Sequence, residues 1–395
     1  MNEIYFIIEP SATGTFVAEL NECLIKSVKA GKGAGGESLS VVKQTVFIKS
    51  SNKTDFYAKK QRAISILNDF YKSALPPTSF IGQIPGSGRT VAMEVVAADL
   101  DNNDIAVSHK SVSGVSYSVV SHPSFKEVFA AGLTVESDVD ESYAQTKGAF
   151  ELMRKILKKE GMDFSHIVRQ WNYIEKLLAV HKKNGFERQN YQIFNDVRSD
   201  YYRDSDFENG YPAATGIGMN EGGVVLEFIA VKQKKGLLTV IPISNPVQVN
   251  AHEYTKEVLV GSHLNSGGEL SSPKFERAKC VMTKNRTQFY ISGTAAVRRQ
   301  SVVGDADIEA QTLTTIENLK TLLSRKNLSD HGIRIQVDLS DISFLRVYIK
   351  NTEDILKAKT ICKKYFKKEA ILFLIADICR DHLLIEMEGY MSVKK

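Results

Sequence analysis

One structural unit is written into this chain more than once. The segments SFIGQIPGSGRTVAMEVVA (79–97), PAATGIGMNEGGVVLEFIA (212–230) and AILFLIADICRDHLLIEMEG (370–389) each read as a strand, a turn and a second strand bearing a glutamate. Aligned on the second strand, they put Glu94, Glu227 and Glu386 at equivalent points. The preceding helices match in the first two, AISILNDFYKS (63–73) over YQIFNDVRSDYY (191–202). A front half also recurs: FAAGL (129–133) with AQTKGAFELMRKIL (144–157) resembles YISGTAA (290–296) with AQTLTTIENLKTLL (310–323). Such a repeat cannot bury its apolar face alone and must pack against its neighbours.

Each unit reads as strand, long amphipathic helix, strand, second helix, strand, strand, which is an α+β class. Ile316, Leu319, Leu322 and Leu323 recur at the three- and four-residue spacing of one buried helical face. Phe344–Lys350 alternates like a strand, and Asn351 begins the next helix as a cap. The chain then holds about two and a half copies: a partial unit over 1–100, a middle unit over 101–250 and a last unit over 251–395. Region 27–40 (VKAGKGAGGESLSV) reads as a flexible connection.

Several functions are disfavoured by what the chain lacks. Gly31–Gly36 formally satisfies GxGxxG, but a helix-like stretch precedes it and a strand follows, the reverse of a dinucleotide site. The eight histidines form no HExxH or His/Cys cluster, so neither a metal nor another cofactor is expected. No GxSxG elbow occurs. No run approaches the roughly 18 apolar residues of a membrane span, and the N-terminus does not read as a signal peptide. Cys23, Cys280, Cys362 and Cys379 are scattered, as suits a reducing cytoplasm. The net charge is only +5, and the lysines of 363–368 read as a solvated helix face. That balance suits a small anionic substrate better than nucleic acid.

The strand after residue 383 poses the sharpest question. Alternation puts Leu384, Glu386 and Glu388 on one face of an apolar strand. Burial against Leu384 and Phe373, together with a second carboxylate nearby, raises a carboxyl pKa and keeps it protonated near neutral pH. Pairing of both glutamates with lysines at a domain interface is the alternative.

The SGT strand, the QT…IENL helix and the closing (V/I)E(I/M)E strand resemble the YjgF/RidA family of small trimeric proteins. More specifically, from about residue 100 onward the chain resembles the chorismatase family. The matching stretches are RQWNYI (169–174), NGFERQNYQIFNDVR (184–198), GYPAATGIG (210–218), SPKFERAKCV (272–281), ISGTAAV (291–297), VVGDADIEAQTLTTIENL (302–319) and ADICRDHLLIEMEG (376–389). The resemblance implies fused RidA-like units forming an intramolecular pseudo-trimer, hence a monomer, with the ligand cleft between units. It implies a cytoplasmic enzyme of secondary metabolism that acts on chorismate and releases pyruvate, with no nucleic acid or membrane as partner.

The resemblance makes Glu386 the general acid and leaves Glu388 a supporting group. It puts Tyr191, Asn195, Arg198, Tyr211, Thr215, Gly216, Gly293, Thr294, Cys379 and Arg380 around the ligand. Arg198 and Arg380 are the expected carboxylate anchors, although Arg380 could instead pair with Asp377 or Asp381. Gly218 and Gly293 read as sites of close backbone approach, and Cys379 as a residue that shapes the pocket. Gly293 and Cys379 are the combination implied for 3-hydroxybenzoate. Hydrolysis to a dihydroxycyclohexadiene carboxylate and formation of 4-hydroxybenzoate are the alternatives. The chain departs from the family pattern at Glu187–Asn190 and at Arg298–Arg299. Those departures keep a RidA-like imine deaminase or a non-catalytic binder open.

Overall fold

A computed structural model describes residues 3–34, 39–72, 75–100, 104–135, 142–183, 186–234, 238–261, 269–367 and 371–394. The first unit runs β1 (Glu3–Ile8), α1 (Phe16–Ala34), β2 (Leu39–Ile48), α2 (Lys53–Tyr71), β3 (Thr78–Ile81), β4 (Ile84–Pro85) and β5 (Val91–Asp99). The second begins with β6 (Ala106–Val112), β7 (Val115–Ser121), β8 (Phe125–Leu133), α3 (Ser142–Lys159) and β9 (Ile167–Glu175). It continues through β10 (Val180–Lys183), β11 (Phe186–Gln189), α4 (Asn190–Tyr202), β12 (Ala213–Met219) and β13 (Val224–Gln233). The third begins with β14 (Thr239–Ile243), β15 (Ala278–Met282), β16 (Arg286–Ala295), β17 (Val297–Arg298), β18 (Ser301–Val302) and α5 (Ile308–Leu322). It ends with α6 (Arg325–Asp330), β19 (Phe344–Ile349), α7 (Ile355–Cys362), β20 (Ile371–Ile375) and β21 (Ile385–Lys394).

The sheets repeat the unit. Their orders are β1-β5-β2-β3, then β6-β7-β8-β13-β9-β12, then β14-β15-β16-β21-β19-β20-β4. The shared four-strand pattern places the last strand between the first two and pairs the third in parallel with the second. The first unit lacks the leading strand pair that β6-β7 and β14-β15 add to the others. β14 is hydrogen-bonded into the third sheet, ahead of the break expected near residue 250.

Each sheet is covered by its own helices on one face, and the other faces meet in a common interior. Val42 and Phe47, Trp171 and Val225, and Tyr290 and Phe344 belong to that one interior cluster. Three further clusters lie under the helices of the separate units. Strands buried on both faces explain the near-continuous apolar runs in the sequence. Among the described residues no helix is long and apolar enough to cross a membrane.

The interior also holds charge. Glu94, Glu227 and Glu388 are each the fourth residue of the last strand of their unit. Lys43, Arg169 and Arg346 come from the second strands. Lys43 Nζ lies 2.5 Å from Glu227 and 3.5 Å from Glu94. Arg346 bridges Glu94 at 2.5 Å and Glu388 at 2.8 Å, and Arg169 pairs with Glu388. All three cations lie within 6 Å of the Trp171 ring centroid, at 4.4, 4.7 and 5.6 Å.

Two readings from sequence change here. The recurring glutamate of the third unit is Glu388, not Glu386, because Met93-Glu94, Leu226-Glu227 and Met387-Glu388 occupy matching positions. The strand bulges agree, falling beside Glu227 at Leu226/Phe228 and opposite Glu388 at Ile291/Thr294. The connection expected over 27–40 is helical to Ala34, and residues 35–38 lie outside the described residues. A smaller difference concerns Asn351, which makes no side-chain cap and donates instead to Asp354 at 2.9 Å.

Arg346→Met would leave Glu94 and Glu388 without their main cation in a fully buried setting. The expected loss is about 3–5 kcal/mol, read as a lower urea midpoint. An unchanged midpoint would show that the ionic knot is dispensable.

Candidate active site

The cleft lies between the second and third units. From the second come Ala214 and Gly216 on β12, with Gln189, Tyr191, Gln192 and Asn195 at the start of α4. The third supplies Gly293 and Ala295 on β16, Val297, and Glu386 on β21, with Cys379, Arg380 and Leu383 in the turn before it. A strap outside the sheets, carrying Gln248, Tyr254, Val258–Val260, Pro273, Phe275 and Arg277, completes the wall.

Glu386 is 4% exposed, and among the described residues its carboxyl has no hydrogen-bond partner. Burial, reinforced by the Glu388 charge, pushes its pKa up to about 8, against the opposing pull of Arg169 and Arg277. Glu388 is handled oppositely. Its burial is outweighed by Arg346 and Arg169, with Thr215 and Tyr348 donating to it, so it is held below the usual carboxylate range. Trp171 Nε1 also donates to it, at 3.1 Å. Two carboxyls on one face are thereby set to opposite protonation states at neutral pH, the arrangement that an acid and its supporting anion require.

Gly293 makes room for the acid. A Cβ there would lie 2.0 Å from Glu386 Oε1 and 2.9 Å from its carboxyl carbon. At Gly216 a Cβ would meet the Tyr191 ring at 2.9 Å, and at Gly218 it would meet the Asp377 backbone at 2.9 Å. Cys379 is in the wall as a thiol, since burial and then Glu386 push its pKa up to about 12.

Of the residues expected at the ligand, Tyr191, Asn195, Gly216, Gly293, Cys379, Arg380 and Glu386 line the cleft, and four do not. Strand alternation turns Thr215 away from its neighbours Ala214 and Gly216. Its hydroxyl meets Glu388, Arg169 Nη2 at 2.7 Å and Gly293 N at 3.0 Å. Thr294 is likewise opposite Gly293 and Ala295 and donates to Ser292 O at 3.0 Å. Tyr211 packs on Phe207 and His252, with centroids at 4.8 and 5.3 Å. Arg198 lies behind Asn195 and donates to its Oδ1 at 2.6 Å. Arg298 and Arg299 also fall outside the wall, so neither reaches the ligand space. The apolar neighbours expected for Glu386, Leu384 and Phe373, belong to the helix-side cluster, and Leu383 and Ala295 take that place in the cleft.

Sequence reasoning missed Arg277 and the strap. Arg277 Nη2 donates to Val249 O at 2.5 Å and to Tyr254 Oη at 2.8 Å. Arg380 donates to Gln300 O at 2.5 Å and lies 5.0 Å from the Tyr254 ring centroid. Among the described residues neither guanidinium pairs with a carboxylate, and Asp381 pairs with Lys350 at 2.7 Å instead. Cations without acidic partners, Arg277 buried and Arg380 partly buried, suit an anionic ligand. Tyr254 lies in irregular backbone with no periodicity to reveal it.

Comparison with known proteins agrees with this architecture. A family model described as "Chorismatase FkbO/Hyg5-like, N-terminal" matches residues 106–230, the second unit. A "3-hydroxybenzoate synthase" of Streptomyces hygroscopicus is 29% identical over 250 residues, covering 62% of this chain and 68% of that protein. A "Chorismatase" of Streptomyces rapamycinicus is 28% identical over 235 residues, covering 58% and 65%. A crystal structure of a chorismatase superimposes with a TM-score of 0.66 at 19% identity, covering 98% of both chains. Over these stretches the chain is similar to the chorismatases. It spans about two thirds of the length of these curated relatives. The fold expected from sequence, fused YjgF/RidA-like units in an intramolecular pseudo-trimer, is the fold of this chain.

The raised pKa of Glu386 has a stability consequence of definite sign. Its folded value, about 8, exceeds the ordinary 4.5, so the folded state binds the extra proton. The stability this contributes is complete below about pH 4.5 and is lost as pH rises through 8. Glu386→Gln lacks that loss. Its advantage over wild type should grow between pH 4.5 and 9 to on the order of a few kcal/mol, measured by urea unfolding. Parallel pH profiles would show that the carboxyl is not perturbed.

Proposed function

We propose that this chain is a chorismatase that converts chorismate to 3-hydroxybenzoate and pyruvate. The observation that carries the reading is a buried carboxyl, Glu386, kept protonated beside the anionic Glu388 in a cleft walled by two guanidiniums without acidic partners. Chorismate brings two carboxylates for such cations and an enolpyruvyl ether for such an acid.

Glu386 gives its proton to the terminal methylene carbon, and the ether oxygen becomes part of an oxocarbenium ion. The neighbouring ring hydroxyl attacks the ring carbon holding that oxygen. The bond from ring carbon to ether oxygen breaks, and its electrons form the carbonyl of pyruvate. The epoxide so formed gives up the hydroxyl proton, its oxygen's bond to the carbon that first bore the hydroxyl breaks, and the ring proton beside the retained oxygen leaves. Of the two protons released, one ends on the phenol and the other restores Glu386. The two products together account for all atoms of the substrate, so no water is consumed. Water attack would give the dihydroxycyclohexadiene acid instead.

Gly293 and Cys379 support the internal route. With no Cβ at 293 the acid lies flush with the wall, and by resemblance this pair accompanies hydroxybenzoate formation. The cytoplasm is the compartment we infer, in keeping with four free thiols.

Incubation with chorismate should release pyruvate in a coupled dehydrogenase assay, with 3-hydroxybenzoate on chromatography. Glu386→Gln should lose at least roughly 10²–10⁴-fold in kcat. kcat/KM should fall above about pH 8 as the acid deprotonates. No pyruvate above background would leave imine deamination or simple binding as the reading, and a dominant dihydroxy acid would refute the product assignment. We also propose that the chain works as a monomer, because its own three units supply the inter-unit surfaces. Sedimentation should give one chain per particle; an obligate homotrimer would refute this.

A further inference from the structure

Arg198 carries a charge that the fold leaves unanswered. It is 2% exposed, and among the described residues no carboxylate pairs with it. Its guanidinium lies 5.3 Å from the Phe194 ring centroid, and its Nε has no hydrogen-bond partner. The ionisable groups acting on it are the phenols of Tyr191, Tyr202 and Tyr211, and it in turn acts on the Lys274 ammonium. Its hydrogen bond goes from Nη2 to Asn195 Oδ1, at 2.6 Å.

That bond settles which way the Asn195 amide faces. A guanidinium has donors only, so the amide must offer it oxygen and turn its NH2 elsewhere. Asn195 is 1% exposed, lines the cleft, and its Nδ2 has no hydrogen-bond partner. Two neighbouring carboxamides are already engaged. Gln192 donates to Asp196 Oδ1 and Ser271 O, both at 2.9 Å, and Gln248 donates to Val297 O at 3.1 Å. A buried donor left unmet is costly, and folds retain such groups where a ligand completes them.

We propose that Asn195 Nδ2 donates to a carboxylate oxygen of the ligand, and that Arg198 is a positioning residue which orients that amide without touching the ligand. The choice of an anionic acceptor follows from the positive charge that Arg198 and Lys274 place at this end of the cleft. The inference rests on the chorismatase reading and adds to it the atom that binds and the residue that aims it.

Asn195→Asp, in the full chain, separates this from a structural role. The carboxylate keeps the volume, gives Arg198 the acid it lacks, and replaces the donor with an acceptor. KM for chorismate should rise about tenfold or more, kcat should stay within about threefold, and the melting temperature should equal or exceed that of wild type. An unchanged KM would overturn the ligand contact. Arg198→Lys still donates to Oδ1 and should remain within about threefold of the wild-type KM. Arg198→Met frees the amide to flip and should raise KM as Asn195→Asp does. Equal KM values for the two Arg198 variants would overturn the positioning role, and this pair decides if Asn195→Asp does not fold. Wild-type protein that neither turns over chorismate nor is thermally stabilised by it would sink the chorismatase reading and this inference together. Wild-type turnover with an unaltered Asn195→Asp variant sinks this inference alone.

Discussion

Three carboxylates and three cations, closed around Trp171, hold the inner faces of the sheets together. Taking such groups out of water is expensive, and the expense is offset only when every charge has a close partner and the remaining lone pairs are hydrogen-bonded. Here the partners come from different units: Lys43 of the first reaches Glu227 of the second, and Arg346 of the third reaches Glu94 of the first. Thr45 adds a 2.7 Å bond to Glu227, and Tyr173 and Tyr348 accept from Arg346 at 2.5 and 2.9 Å. A shifted register in any one sheet would strand a charge belonging to another, so the arrangement ties the three sheets to a single mutual placement. An apolar interior of equal volume would not discriminate in this way.

The same knot sets the chemistry of the cleft. Glu388 belongs to it and is committed as an anion, and Glu386, two residues earlier on the same strand face, is outside it. The acid therefore feels a fixed negative neighbour, yet receives none of the hydrogen bonds that hold Glu388 ionised. Thr215 links the two environments, since one hydroxyl serves Glu388, Arg169 and the backbone of Gly293, the residue on which the acid rests. Folding and acid strength are thus consequences of one set of contacts.

Much of the fold was legible because repetition is a pattern rather than a propensity. The helix and strand spacings of each unit, and the short first copy, follow from periodicity and alignment alone. The error over which glutamate recurs had a definite origin. Two glutamates two residues apart fit the same alternation equally well, and only the strand bulges, which depend on pairing with β8 and β16, distinguish them. The cleft was half legible for a related reason. Alternation on β12 and β16 sends Thr215 and Thr294 away from the space that their glycine neighbours open, and the register needed to see this is tertiary. Arg277 and Tyr254 lie on or beside a strap with no repeating pattern, so nothing in the chain marked them before the fold brought them to Glu386.

The contrast among the units shows how one site came to be kept. In the second unit, Gly132 N donates to Ser79 Oγ at 2.7 Å, where Gly293 N in the third donates to Thr215 Oγ1. There the resemblance stops. A Cβ on Gly132 would lie 2.4 Å from the Thr78 carbonyl oxygen, whereas the atoms nearest to one on Gly293 would be the Glu386 carboxyl and the Thr215 methyl. At Gly132 the glycine lets backbone close on backbone, and the space is filled. At Gly293 the same absence of a side chain admits a movable carboxyl and leaves a cleft beyond it. A pseudo-symmetric fold thus presents comparable junctions, and the difference between packed interface and candidate active site lies in what each glycine is allowed to face.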